Sequence, residues 1–457
     1  MTRTYYILYL AIILLTSCKK YLDVGSPDTQ LTGETLFNSD ATATAALLSI
    51  YSQMESSGLA YQSFLIFGTA SDEAVNYRTA ADAVAISNNN ITPDNGPVTN
   101  MWSNYYSYIY QANAIIRGIE KSSNITPAIK NYLLGEAYFI RAWCHFYLLQ
   151  YFGNIPFNTS TDYRVNLAQV QEDANGIYPK IIADLTTSSN LVSSHYLSAT
   201  NNITTERVRV NKAAVMALLA KVYLNAGNWA KAEEAANYVL AQSSYSLTSN
   251  LNNVFLKNSS EAIWQLQANI AGFNSYAGGT IQPTSSTPTV ISLTKNLIDS
   301  FSAGDQRKIN WVKTTTVGAN TYYWWYKYKV GQNAPSITEY TMMIRLADII
   351  LIRSEARMEL DKLSDGLADL NVIRLRAGLA ALSTLTKEQL RDAIYKERRC
   401  ELFGEFSDRW IDLKRSGKIN TILGNIKGSN WVSTDQLFPI PLIEMLRHPG
   451  MQQNPGY

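Results

Sequence analysis

The chain has few residues of the two types that most often hold metals or form disulfides. Of its 457 residues, three are cysteine and three are histidine. Cys144 and Cys400 are isolated from each other, and no histidine has a second ligand four residues away. The sequence therefore predicts neither a disulfide framework nor a helical zinc site. No metal and no cofactor are expected.

Charge is also sparse, and neither sign dominates. Charged residues make up 17% of the chain, and 39 Lys and Arg against 37 Asp and Glu leave a net charge of +2. This balance provides no positive field for nucleic acid, so a nucleic-acid partner is not expected. Hydrophobic residues make up 46%, which is typical of a globular protein.

The common catalytic and nucleotide-binding motifs are missing. There is no Gly-x-Ser-x-Gly elbow, no phosphate-binding loop and no Gly-x-Gly-x-x-Gly. Ser292 and Lys295 fit the bare Ser-x-x-Lys pattern, but its companion motifs are absent. Asp72 and Glu73 are adjacent, so their side chains point in different directions and favour a buried structural acid over a hydrolytic pair. The sequence predicts a protein that is not an enzyme, with a surface hydrolase as a remote alternative.

The N-terminus carries a targeting signal. Arg3 precedes an apolar segment, 5–15, that ends in Leu15-Thr16-Ser17-Cys18. The segment is shorter than the roughly 20 residues of a membrane-spanning helix, and no later run is long enough either. A basic start, a short apolar core and small residues before the cut are typical of a secretory signal. The ending resembles a bacterial lipoprotein box, which predicts a signal peptide over 1–17 and lipidation of Cys18. The alternative is an ordinary secreted protein with an incidental cysteine.

Tyrosine and tryptophan are abundant. There are 29 Tyr and 9 Trp, against 13 Phe. Their rings combine a flat apolar face with a polar edge, which suits a ligand such as a sugar ring. Large helical proteins also use tyrosine to fill gaps between helices, so composition leaves both interpretations open.

Apolar periodicity predicts a mainly helical protein. Long helices are expected over 41–54, 101–120 and 130–151. Residues 212–242 fit a tetratricopeptide-like hairpin, in which small side chains let two antiparallel helices approach and Gly227 lies in the turn. Residues 349–376 form a second, poorer copy. The predicted fold class is mainly α, a scaffold of tetratricopeptide-like helical hairpins with a loop-rich ligand-binding face.

Two polar stretches, 77–100 and 243–331, interrupt the helices and predict that loop-rich face. A sugar ring stacks on an aromatic ring while its hydroxyl groups need polar partners, so aromatic side chains with polar neighbours are the candidate ligand-binding residues. They are Tyr77, Arg78, Phe273, Tyr276, Tyr322, Trp324 and Trp325. Burial in the core is an equally open alternative for each.

The densest aromatic cluster is Tyr322-Tyr323-Trp324-Trp325. Alternate residues of an extended segment share a side, so Tyr322 and Trp324 are expected on one side and Tyr323 and Trp325 on the other. We expect one pair to pack inward and the other to face solvent.

A charged helix is predicted over 390–415. Glu397, Arg398, Glu401 and Arg409 lie at near-helical spacing with mixed sign, which is typical of a salt-bridged helix face. We interpret this segment as structural rather than catalytic.

Several segments together resemble the SusD/RagB family and run in its order. They are residues 18–23, 345–356, 371–379, 397–402, 408–417, 437–441 and 453–457. Two departures are the run Gly404-Glu405-Phe406-Ser407 and the pair Lys19-Lys20, which stands where such lipoproteins often carry acidic residues that direct them to the cell surface.

The resemblance implies a lipid-anchored outer-membrane protein of the Bacteroidota, on the cell surface, that binds glycan nutrients without catalysis. It would serve as the lid of a SusC-like TonB-dependent transporter, its expected partner. The expected organisation is one domain over 18–457, with a helical half over 18–242 and a loop-rich and C-terminal half over 243–457. The alternatives are a member that binds peptides and a helical-repeat scaffold that binds only proteins.

Overall fold

The computed structural model describes residues 36–283 and 285–457, and these are mostly helical with short strands. The predicted signal peptide, Cys18, Lys19 and Lys20 lie outside the described residues. Within them, no helix is both long and apolar enough to cross a membrane.

The elements are numbered in chain order. The helices are α1 (Asp40–Ser56), α2 (Leu59–Ala70), α3 (Ala81–Ser87), α4 (Gly96–Lys121), α5 (Pro127–Phe152), α6 (Tyr163–Leu167), α7 (Ala174–Leu191), α8 (Lys212–Asn225), α9 (Trp229–Leu240), α10 (Tyr276–Ile281), α11 (Lys295–Ser300), α12 (Gln306–Trp311), α13 (Leu346–Glu359), α14 (Leu363–Arg376), α15 (Lys387–Leu402), α16 (Asp408–Arg415), α17 (Ile419–Lys427) and α18 (Leu442–Arg447). The strands are β1 (Ala74–Asn76), β2 (Tyr196–Leu197), β3 (Ile203–Thr204), β4 (Ala262–Leu266), β5 (Ile291–Leu293), β6 (Val312–Val317), β7 (Asn320–Trp325) and β8 (Thr341–Arg345).

The three predicted long helices are present as α1, α4 and α5. The side chain of Asn95 accepts a hydrogen bond from the N–H of Val98 and so caps α4. Pro97 and Pro127 lie in the first turns of α4 and α5, where a missing N–H has no intrahelical partner to lose. Buried residues surround most of α5, which confirms that this helix lies inside the protein.

Both predicted hairpins are present. In the first, α8 packs on α9, and Gly227 adopts the left-handed φ of +72° in the turn. In the second, α13 packs on α14, and a Cβ at Gly366 would lie 2.8 Å from the carbonyl oxygen of Ser354. Glycine therefore permits the close approach of these two helices. Because α9 also packs on α13, the two hairpins form one continuous helical row.

The stretch 243–331 is more regular than predicted. It contains β4 to β7 and the short helices α10 to α12. Threonine and aromatic residues are common in β6 and β7, and these types favour paired strands. The two strands form an antiparallel hairpin from Val312 opposite Trp325 to Val317 opposite Asn320, with Gly318 at φ +59° in the turn.

Two apolar cores lie in the structure. The main core is helical and takes residues from both predicted halves of the domain, such as Ala220 and Ile349. The smaller core lies under the strand-containing region and includes Phe64, Trp311 and Phe403. The division at residue 242 stays a prediction.

The predicted single helix over 390–415 is two helices, α15 and α16. Between them Gly404 has a φ of +74° and Phe406 a φ of +49°, and this left-handed backbone interrupts the helix. A Cβ at Gly404 would lie 2.6 Å from Nε1 of Trp325, so the turn also packs tightly against β7.

Near the C-terminal end of α15 the charged residues Glu397, Arg398 and Glu401 are buried rather than exposed on a helix face. Glu401 pairs with Arg345 at 2.6 Å, with Arg307 at 3.0 Å and with Arg376, and Arg376 also pairs with Glu261 at 2.5 Å. Glu261, Arg307, Arg345, Arg376 and Glu401 are called the buried ion cluster below. Burial alone would raise the pKa of Glu401, but the three guanidinium groups outweigh burial and hold that pKa well below its usual range. The charged segment is thus structural, as predicted.

Candidate ligand-binding site

A small layer of strands brings Tyr77 close to Tyr322. β1 pairs with β5 antiparallel, and the N–H of Tyr77 donates to the carbonyl of Val290 at 2.9 Å. The hydroxyl of Ser292 on β5 accepts from the N–H of Tyr323 and donates to its carbonyl, both at 3.0 Å. Ser292 therefore links β7 to β5, which is a structural use of the side chain. The rings of Tyr77 and Tyr322 meet edge to face, with centroids 6.0 Å apart.

Tyr77 is 38% exposed and Tyr322 is half-buried, so this pair reaches the surface. Trp324 and Trp325 do not, because each is only 5% exposed. Trp325 packs against Phe64 in the smaller core at a centroid distance of 4.8 Å. Nε1 of Trp324 donates to the hydroxyl of Thr315 on the paired strand at 2.9 Å.

The expectation that one aromatic pair of β7 faces solvent is therefore not met. Tyr323 and Trp325 do share the side that packs on the smaller core. On the other side, however, burial increases along the strand, so Tyr322 is partly accessible while Trp324 is covered. The two tryptophans serve the packing of the hairpin.

Arg78 follows Tyr77 and is held in place by Asn76. The side-chain oxygen of Asn76 accepts from Nε of Arg78 at 2.9 Å and from its backbone N–H at 3.3 Å. The amide of Asn76 donates in return to the carbonyl of Arg78 at 2.9 Å. Burial lowers the pKa of Arg78, and the neighbouring phenol of Tyr61 opposes that shift. Asn76 thus fixes the direction of the guanidinium.

Tyr61, on α2, connects this segment to the loop that carries Phe273 and Tyr276. Its ring lies 5.6 Å from that of Tyr276, and the ring of Phe273 meets Tyr276 edge to face at 6.4 Å. Gly58 permits the approach, since a Cβ there would lie 2.6 Å from the ring of Tyr276. The five residues Tyr77, Arg78, Phe273, Tyr276 and Tyr322 are called the aromatic face below. Tyr61 is only 3% exposed and belongs to the smaller core, so it supports this face and is not part of its surface.

Glu55 supports the aromatic face from beneath. One carboxylate oxygen accepts from the N–H of Tyr276 at 2.9 Å and from the hydroxyl of Thr341 at 3.0 Å. Burial raises the pKa of Glu55 to about 7, and these two hydrogen bonds only partly oppose the shift. Glu55 therefore holds the loop through neutral donors.

A polar cavity begins one residue beyond Arg78, at Thr79. It has a volume of about 710 Å³. Its polar lining comes from residues just before and after α3 and from the C-terminal segment: Thr79, Asn88, Asn90, Asn430, Asp435 and Tyr457. This amide cavity offers donors and acceptors of the kind that sugar hydroxyl groups need.

The adjacent acids Asp72 and Glu73 are both buried. Asp72 pairs with Arg399 at 2.6 Å and with Arg409 at 2.8 Å. Burial raises the pKa of Glu73 to about 8, and the negative charge of Asp72 adds to the shift. Asp72 thus has the structural role that the sequence favours. In residues 36–283 and 285–457 no group of three or more His, Cys, Asp and Glu is placed to hold a metal ion.

The structure pairs Tyr77 with Tyr322 and Phe273 with Tyr276, and Tyr61 neighbours both Tyr276 and Arg78. Tyr61, which the sequence did not single out, lies in the smaller core and supports the ring of Tyr276 from within the protein. The C-terminal residues of the amide cavity were missed because nothing in the sequence indicates that Asn430 and Tyr457 return to Asn88.

Comparison with known proteins gives consistent matches along the chain. Residues 20–224 match a family model described as starch-binding and associating with the outer membrane. Residues 295–457 match the family model of the SusD family. SusD-like protein P25 of Formosa agariphila is 23% identical, over 96% of this chain and 97% of its own.

Solved structures share the fold. A SusD superfamily protein of Bacteroides vulgatus superposes with a TM-score of 0.79 at 21% identity and covers 93% of this chain and 100% of its own. A laminarin-binding SusD-like protein superposes with a TM-score of 0.75 at 24% identity, over 91% of this chain and 99% of its own.

Proposed function

Because the chain belongs to the SusD/RagB family of glycan-binding proteins, we propose that it captures glycan nutrients at the bacterial surface and delivers them, unchanged, to a SusC-like TonB-dependent transporter. Outer-membrane association follows from the family. The ligand, the delivery step and the residues that bind belong to the proposal.

The observation that carries the proposal is the aromatic face. Tyr77 and Tyr322 come from strands far apart in the sequence, yet their rings meet at the surface. A sugar ring has an apolar face of C–H groups that packs on such rings, and polar groups nearby bind its hydroxyls. Arg78 directly follows Tyr77 in the chain and is hydrogen-bonded to Asn76, so a polar, positively charged group lies next in sequence to the aromatic pair.

The amide cavity extends the same surface. Thr79 lines it directly after Arg78, so a ligand longer than one sugar can lie on the aromatic face and reach the cavity. Its volume of about 710 Å³ falls within the range of known small-molecule sites. An oligosaccharide fits this succession of ring and hydroxyl contacts.

The test is binding of oligosaccharides to the purified protein, measured by calorimetry, for the wild type and a Tyr77→Ala, Tyr322→Ala variant. The double variant is expected to lose tenfold or more in affinity, since each aromatic contact contributes about 1 kcal/mol. Tyr163→Ala is the matched control, because Tyr163 is an exposed tyrosine outside the aromatic face. Glycan binding that the double variant retains in full would refute the site. Binding of peptides but no glycan would favour the peptide-binding alternative.

The anchor and partner are tested in cells. Cys18→Ala is expected to abolish labelling by a radioactive fatty acid and to release the protein from the outer membrane, because Cys18 is the proposed lipid attachment. Purification of the tagged wild type from membranes is expected to yield a SusC-like transporter as a stoichiometric partner. A protein that retains its label in the variant, or purifies alone, contradicts this part of the proposal.

A further inference from the structure

The hydrogen bonds of Arg78 are incomplete. Its Nε donates to Asn76 at 2.9 Å. Its Nη2 is buried without a hydrogen-bond partner, and its Nη1 makes no hydrogen bond to any described residue. A guanidinium has five N–H groups in a fixed plane, so most of its donors are left without an acceptor.

Other arginines inside the described part of the chain have carboxylate or carbonyl acceptors for their guanidinium groups. Arg209 pairs with Glu136 at 2.5 Å, and Arg398 pairs with Asp412 at 2.7 Å. Arg207 has no carboxylate partner but donates to three backbone carbonyls, those of residues 244, 260 and 262. This fold therefore normally supplies a buried guanidinium with acceptors.

Three acids on elements around the aromatic face bind other groups. Asp72 is bound by two other arginines, and Asp82 accepts from the N–H of Gly96 at 3.1 Å. Glu55 is bound to Tyr276 and Thr341. The neighbouring phenol of Tyr61 opposes the lowering of the Arg78 pKa, but burial raises the pKa of Tyr61 and keeps it neutral near pH 7, so it supplies no counter-charge. The positive charge is thus partly withdrawn from water without a neighbouring negative charge.

A partly buried guanidinium without a counter-charge is unfavourable in the absence of ligand and becomes favourable once an anion binds to it. Partial burial of an unpaired charge costs free energy, and an anionic acceptor recovers it. Hydrogen bonds between a guanidinium and a charged oxygen are roughly twice as strong as neutral ones. The planar fork of arginine also fits the paired oxygens of a carboxylate or a sulfate. Asn76 holds the fork in place beforehand.

We propose that the glycan bound at the aromatic face carries a negative charge, as a uronate carboxylate or a sulfate ester, and that this group binds to the guanidinium of Arg78. The inference rests on the proposed glycan-binding function. It adds the chemical class of the ligand and assigns the selection of an anionic glycan to Arg78. The sugar rings pack on Tyr77 and Tyr322, while the acidic group lies at Arg78.

The experiment compares three sets of polysaccharides and their oligosaccharides by calorimetry: neutral (laminarin and starch), uronate (polygalacturonate and alginate) and sulfated (carrageenan and fucoidan). The wild type is expected to bind a member of the uronate or sulfated set. Arg78→Gln is expected to lower that affinity about tenfold to a hundredfold, and Arg78→Lys to restore part of it, because lysine keeps the charge but not the fork. Raising NaCl from about 50 to about 500 mM is expected to weaken binding.

Arg117→Gln is the matched control. Arg117 is an exposed arginine on α4 that donates to the hydroxyl of Thr161 at 2.7 Å, and its replacement removes the same charge outside the aromatic face. It is expected to leave affinity unchanged. Preference for uronates or for sulfates then identifies the source of the anion.

Other outcomes overturn the inference. If the bound glycans are neutral, or if Arg78→Gln weakens neutral and anionic ligands by the same factor, the charge selection is refuted while glycan binding stands. If no glycan of the three sets binds, the proposed function fails and the inference with it.

Discussion

In the buried ion cluster, the guanidinium groups of Arg345 and Arg376 are surrounded by the carboxylates of Glu261 and Glu401. At the aromatic face, the guanidinium of Arg78 has one amide oxygen, that of Asn76. The acids differ in the same way: Glu401 is bound by three arginines, whereas Glu55 is bound by a backbone N–H and a hydroxyl. The same side-chain types therefore have counter-charges in one region and lack them in the other.

This difference separates scaffold from binding surface. Where every buried charge has its counter-charge, removing one partner leaves others unpaired, and the fold depends on the set. Where a charge lacks its counterpart, the missing partner has to come from outside the chain. Residue type alone did not distinguish Arg78 from Arg345. The two differ in their neighbours, because Arg345 has carboxylate partners and Arg78 has an amide.

Glu401→Ala is expected to have the largest effect. It leaves Arg307, Arg345 and Arg376 short of their shared carboxylate in a dry interior, and we expect a loss of about 5 kcal/mol in the free energy of unfolding. Denaturant unfolding followed by circular dichroism measures it. Glu234→Ala, which breaks an exposed pair with Lys231, is the control and should leave stability unchanged. A mild effect of Glu401→Ala would show that the cluster is not essential to the fold.

Trp325→Ala is expected to follow, with a loss of about 3 to 4 kcal/mol, because it empties the space beside Phe64 in the smaller core. Tyr322→Ala on the same strand should cost far less stability, since Tyr322 lies nearer the surface. Thermal unfolding of both variants checks the contrast. Equal losses would mean that Tyr322 is a core residue and not part of a binding surface.

Glu55→Gln tests the region around the aromatic face, where charged side chains lack counter-charges, through the pH dependence of stability. The pKa of Glu55 is about 7 in the folded protein, against an ordinary value of 4.5, so folding takes up a proton between these values. The stability that Glu55 contributes is present below pH 4.5 and is lost as pH rises through 7. Glutamine imitates the protonated form and keeps an acceptor for Tyr276 and Thr341.

Between about pH 5 and 8 the wild type should therefore lose about 2 kcal/mol relative to the Glu55→Gln variant. Unfolding free energies of the two proteins across this range measure the difference. A constant difference at all pH values would contradict the raised pKa of Glu55.

Asn76→Asp is expected to have the smallest effect on stability. It would give Arg78 a counter-charge of the kind that the arginines of the buried ion cluster already have. The new carboxylate would stand 2.9 Å from Nε of Arg78 and supply the missing counter-charge. The change also loses the hydrogen bond that the Asn76 amide donates to the carbonyl of Arg78, so stability should change by only about 1 kcal/mol, while affinity for an anionic glycan falls about threefold to tenfold. Asn310→Asp adds the same charge on α12 as a control. If Asn76→Asp leaves the affinity for an anionic glycan unchanged, the anion does not bind to an unpaired guanidinium of Arg78.

Local patterns predicted much of the fold. The small residues and the turn at Gly227 predicted the α8–α9 hairpin, because close helix packing and a left-handed turn require those residues wherever they occur. The break between α15 and α16 was missed, since Gly404 stands among good helix formers and the break is fixed by its contact with Trp325. The strands β5 to β7 were missed because short strands gain their stability from partners distant in the sequence.

The site was predictable only in part. Aromatic side chains beside polar ones indicated Tyr77, Tyr276 and Tyr322, and the structure places all three in the aromatic face. The same rule selected Trp324 and Trp325, which are buried, because period-two alternation describes the two sides of a strand but not how deeply its end enters the protein.

The sequence by itself determined the helical class, the two hairpins and the family segments, because these depend on spacing and residue type along the chain. The tertiary structure decided which charges are paired. Arg78 and Arg345 are chemically identical, and their different roles arise from the carboxylates that folding brings to one and not to the other.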